Sequence, residues 1–156
     1  MLRVRLLGAV VVAATILVAP KFAHAQRITG AEFFSHTNDD DKDHDTGVWV
    51  KVVTANEQTK IASIENAANC GNESCHFNDH TDHTIGLRID NPNLTRAECE
   101  NFKFKIGTKA HGNDKWKFRG KIILRFDGGQ TLIREVGDTE LNSRGSHYVE
   151  FRNWVG

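Results

Sequence analysis

Lys115–Phe126 reads KWKFRGKIILRF. Trp116, Phe118, Ile122, Leu124 and Phe126 share one face of this stretch, and Lys115, Lys117, Arg119, Lys121 and Arg125 share the other. A period of two is the mark of a strand with one buried and one wet face. Gly120 interrupts the alternation and marks a bend or bulge. Asp127-Gly128-Gly129 is a turn signal, and Thr131 to Glu135 is the return strand.

Shorter segments of the same kind lie on either side. Ile28–Phe34, Val48–Val53, Lys60–Ile64, Ile85–Ile89 and Phe102–Ile106 precede the hairpin, and Tyr148–Arg152 follows it. Thr95-Arg96-Ala97-Glu98 has the form of a capping box, which places one helical turn before Cys99. No long helical period occurs. Half-apolar, half-charged strands at this spacing predict an all-β chain, a single antiparallel β-sandwich of about eight strands.

The N-terminus carries Arg3 and Arg5, then the apolar run Leu6–Ala19, then Ala23-His24-Ala25. That order is the pattern of a cleaved secretory signal. Residues 1–25 are expected to be the signal and 26–156 the domain, in a secreted or periplasmic protein. The mature chain keeps 17 basic residues against 20 acidic ones, so net charge gives no reason for nucleic-acid binding. Three cysteines in an exported chain suggest one disulfide and one odd thiol. Cys75–Cys99 or Cys70–Cys99 is favoured over the short Cys70–Cys75 loop, because a longer loop removes more unfolded-chain entropy.

Asn38–Val53 reads NDDDKDHDTGVWVKVV, with Asp39, Asp40, Asp41, Asp43 and Asp45 inside seven residues. Like charges this close repel unless a cation neutralises them. Calcium, which takes roughly 6–8 oxygen ligands, is the natural candidate; a solvated acidic loop is the plain alternative. The tract is not an EF-hand loop, because the glycine at the sixth position and the glutamate at the twelfth are missing. A calcium site would therefore be shared between loops. Asn78, Asp79 and Asp82 before one strand, and Asn113 and Asp114 before another, supply further oxygen ligands.

The order of these features resembles a PLAT domain, the module of lipoxygenases, polycystins, pancreatic lipase and clostridial alpha-toxin. The resemblance rests on Asp45-Thr46-Gly47-Val48-Trp49-Val50, on Phe77 to Ile89, and on Phe102 to Phe126 with Asn113, Asp114 and Trp116. It covers roughly residues 30–130. It implies an eight-stranded sandwich that binds calcium and docks on membranes or protein partners. A synaptotagmin-type calcium sandwich implies the same, so the topology stays open.

Two other constellations compete. His76, His80 and His83 beside Cys75 have zinc or copper ligand chemistry, but a spacing of three sets His80 and His83 on opposite faces of an extended chain. Lys103 and Lys105 lie outward on a preceding strand. With Lys115, Lys117, Arg119 and Lys121 they would form a cationic stripe for anionic headgroups or acidic glycans, or else an ordinary solvated face. No nucleophile elbow, zinc-protease motif or phosphate loop occurs. The sequence thus predicts an exported calcium-binding module for a membrane surface, an acidic glycan or a protein partner. The alternative is a small secreted hydrolase or toxin on the same scaffold.

Overall fold

The computed structural model describes residues 25–69, 75–109, 112–142 and, as backbone, 148–151. Residues 1–24 of the expected signal and Cys70 lie outside them. The elements are β1 Ile28–Thr37, β2 Gly47–Val53, β3 Lys60–Ala67, β4 Asp82–Gly86, β5 Arg88–Ile89, α1 Arg96–Cys99, β6 Lys103–Lys109, β7 Lys115–Phe126, β8 Thr131–Asn142 and β9 Tyr148–Phe151. Two antiparallel sheets form, in the orders β4-β1-β7-β8 and β5-β3-β2-β6-β9. Among the described residues no helix is long and apolar enough to cross a membrane.

Alternation dictates the core. On β7, Trp116, Phe118, Ile122, Leu124 and Phe126 are buried while Arg119 and Arg125 are exposed. Val48, Val50 and Val52 face them from the second sheet, with Phe104 and Ile106 beside them. Such a layer at ~25 cal/mol per Å² of apolar burial is the main term holding the sheets together. The turn at Asp127–Gly129 uses two left-handed glycines, Gly128 at φ 77° and Gly129 at φ 78°, a conformation that costs other residues. The capping box also forms: Glu98 N–H donates to Thr95 Oγ1 at 3.4 Å, and Thr95 N–H donates to Glu98 Oε2 at 2.8 Å.

Two expected strands differ. The Ile85–Ile89 segment divides at buried Leu87, whose N–H donates to the Ala31 carbonyl at 2.9 Å. β4 pairs with β1 in one sheet, and the two-residue β5 pairs with β3 in the other. The chain crosses between sheets there, which raises the strand count among the described residues to nine. β8 runs seven residues past Glu135, to Asn142. Its pairing slips at one point: Phe118 faces Thr139 but Gly120 faces Val136. The extra residue on β8 is a bulge, which moves the buried side chains to Leu132, Val136 and Leu141 and breaks the period of two.

Candidate functional site

The three acidic loops meet at one end of the sandwich. Asn38 N–H donates to the Lys117 carbonyl at 2.8 Å, and Lys117 N–H donates to the Asp40 carbonyl at 2.9 Å. Lys42 and Phe77 exchange backbone hydrogen bonds of 3.2 and 3.0 Å, which ties the tract to the loop before β4. Asp43 N–H donates to Asp114 Oδ2 at 3.2 Å, which ties it to the loop before β7.

Several of the carboxylates have partners of their own, while Asp43, Asp45 and Asp114 all act on the Lys42 ammonium. Asp40 accepts from Lys117 Nζ at 2.6 Å and lies 3.0 Å from Lys115 Nζ, and the Lys117 bond leads the effects that hold its carboxyl below the usual range. Asp41 pairs with His76 at 2.5 Å, Asp82 with His36 at 2.7 Å, Asp39 with His80 at 3.7 Å and Asp43 with His44 at 3.8 Å. Burial pushes the Asp114 carboxyl up, against hydrogen bonds that favour its charged form. Asn78 accepts from the Thr81 hydroxyl through its backbone carbonyl, 2.6 Å away; its side chain, Asp79 and Asn113 are exposed. Among the described residues no three His, Cys, Asp or Glu side chains gather at one metal position. His83 leaves the other two histidines and stacks on Phe77, centroids 3.8 Å apart.

The centre of this end is a lysine. Lys42 is fully buried. Its Nζ donates to the carbonyls of Asp43 at 2.7 Å, Thr46 at 2.8 Å and Ala68 at 2.9 Å. An ammonium has three donors, and all three are satisfied. The Phe77 ring centroid is 4.7 Å from the same nitrogen, within cation–π range. The sequence shows Lys42 only as the one cation in DDDKD. Its burial is a tertiary fact, and the alternation of neighbouring segments does not announce it.

A second feature lies on the outer face of the β4-β1-β7-β8 sheet. The bulge on β8 leaves a groove of about 650 Å³ lined by Phe34, His36, Asp82, Arg119, Lys121 and Glu135, among others. Gly120 forms part of its floor because β1 approaches closely: a Cβ there would stand 2.2 Å from the Phe34 carbonyl oxygen. Gly120→Ala should therefore cost about 1–3 kcal/mol through overpacking. Equilibrium denaturation checks it, and a neutral result would mean that the β1–β7 spacing is looser than described.

The cationic stripe is not continuous. β6 belongs to the other sheet, so Lys103 and Lys105 sit across the sandwich from Lys115–Lys121. Outward alternation is legible in sequence, but sheet membership is not. Lys103 pairs with Glu57 at 2.9 Å, and Lys115 and Lys117 are held by Asp40. Arg119 and Lys121 remain in the groove, with Lys121 Nζ 5.2 Å from the Phe34 ring centroid. The cysteine expectation is also corrected: Cys99 is free and buried, which rules out both pairings that use it. Burial raises its thiol to about 11, so it is unreactive at neutral pH. Loop entropy favoured the long links, but it acts on the unfolded chain and does not bring two sulfurs within reach.

No protein-family model matches the chain, and no curated protein matches it. Among solved structures it is similar to the alpha toxin from Clostridium absonum, at 16% identity and a TM-score of 0.49. That match covers 79% of this chain and 33% of the toxin, so the chain spans about a third of its length. At this identity nothing about function passes from the toxin to this chain.

Proposed function

We propose that the chain is an exported binding module, a PLAT-like sandwich that carries its ligand on the outer face of the β4-β1-β7-β8 sheet. The groove is the observation that supports this. Its volume of about 650 Å³ is that of a small-ligand site, commonly about 300–1,000 Å³. Arg119 and Lys121 supply positive charge, Lys121 beside the Phe34 ring, and Asp82, Glu135 and Asp138 supply negative charge in the same lining. Such a lining suits a group with a phosphate and an ammonium together, as in a zwitterionic lipid headgroup at a membrane surface.

Sedimentation with phosphatidylcholine vesicles tests the reading. Wild type should go down with the vesicles, and the Arg119→Ala/Lys121→Ala pair should lose about tenfold or more in affinity with an unchanged melting temperature. No sedimentation of wild type, or equal binding by the variant, would sink it.

The His36–Asp82 contact favours a second reading, a hydrolase. A carboxylate 2.7 Å from an imidazole nitrogen orients it as a general base, and Arg119 lines the same groove. Among the described residues no Ser, Thr or Cys lines that groove, so water is the nucleophile this reading uses. Turnover of a chromogenic phosphodiester that vanishes in His36→Ala would favour this reading over the first.

A further inference from the structure

We infer that the Lys42 ammonium is the resident cation of the acidic loop end, a covalently tethered replacement for a metal ion, so that the folded chain needs no calcium there. The tract poses the problem: five aspartates in seven residues need a counter-cation. Calcium would answer with oxygen ligands drawn from several loops. Lys42 draws on the same kind of ligand. Its nitrogen binds the carbonyls of Asp43 and Thr46 in the tract and of Ala68 after β3. Ala68 holds a left-handed φ of 56°, unusual for a residue with a Cβ, and it is the residue that lends the third carbonyl. Asp43, Asp45 and Asp114 attract the ammonium through space.

The other carboxylates have partners of their own. Asp39, Asp40 and Asp41 face His80, the Lys115–Lys117 pair and His76. A divalent ion entering this end would meet a buried positive charge a few ångströms away and would have to break those pairs. In a low-dielectric setting that repulsion is strong.

Calorimetry and melting of the whole chain test the inference. Wild type should show no calcium-binding heat and the same melting temperature in millimolar calcium and in chelator. Lys42→Ala deletes propylamine in outline, so it should melt well below wild type and recover part of the loss in propylammonium chloride. The same salt should leave wild type unmoved. A calcium-dependent rise in wild type would overturn the inference. So would a Lys42→Ala protein that melts like wild type, or a propylammonium rise of equal size in both. If Lys42→Ala does not fold, the calcium titration of wild type decides alone, since binding heat there contradicts a site already filled.

Discussion

Lys42→Met should lower stability by about 3 kcal/mol, a fall on the order of 10 °C in melting temperature for a domain of this size. Methionine keeps most of the apolar stem and removes the donor. Three carbonyls that accept at 2.7–2.9 Å are then left without their hydrogen bond. Asp43, Asp45 and Asp114 also lose the positive charge that attracts them. The ammonium's own desolvation works the other way, which keeps the net figure near the lower end for a broken buried ion pair.

The same residue gives this end a pH dependence of definite sign. Burial lowers the Lys42 pKa from 10.5 to about 8, partly opposed by Asp114, Asp43 and Asp45. Between those values the unfolded chain holds a proton that the folded chain has released. Stability from this group therefore rises with pH across that window, by about 1.4 kcal/mol per pH unit, and is flat below it. The gap between wild type and Lys42→Met should widen from pH 8 to 10.5. A gap that narrows there would mean that the folded state binds the proton more tightly than the unfolded one.

Trp116→Ala should be at least as costly, about 3–5 kcal/mol. The indole is fully buried and stacks on Phe118 with centroids 4.0 Å apart. Phe33 and Phe77 meet it edge-on at 6.5 and 5.8 Å. Its Nε1–H donates to Thr37 Oγ1 at 3.1 Å, across the β1–β7 pair. Alanine leaves a cavity and an unpaired buried hydroxyl together. Phe77 also covers Lys42, so losing the Trp116 edge loosens the lysine's surroundings as well as the core. Urea unfolding should show a lower midpoint with an unchanged slope. A loss under about 1 kcal/mol would mean that the aromatic cluster repacks around the gap.

Much of the sandwich can be read from residues alone. The period of two in Lys115–Phe126 sets both faces of β7, and the glycine turn and the capping box form as their residue types require. The gathering of acidic loops follows from strand direction, because β1 ends where β2, β4 and β7 begin. What was not legible depends on three-dimensional neighbours. Alternation runs through Leu87 without a break, so nothing local says that the chain changes sheets there. The β8 bulge hides the end of that strand. Lys103 and Lys105 point outward as expected, yet pairing to β2 puts them on the far sheet. Among charged residues a lysine is the last expected in a core, and only the convergence of carbonyls from two loops makes Lys42 tolerable there.

A lysine-selective NMR titration of the wild-type chain reads that nitrogen directly. The Lys42 Cε and ammonium signals should report a group that is charged at neutral pH, slow to exchange its protons with solvent, and deprotonated near pH 8. A Lys42 ammonium that exchanges its protons as freely as an exposed lysine would lie in water and contradict the caged cation.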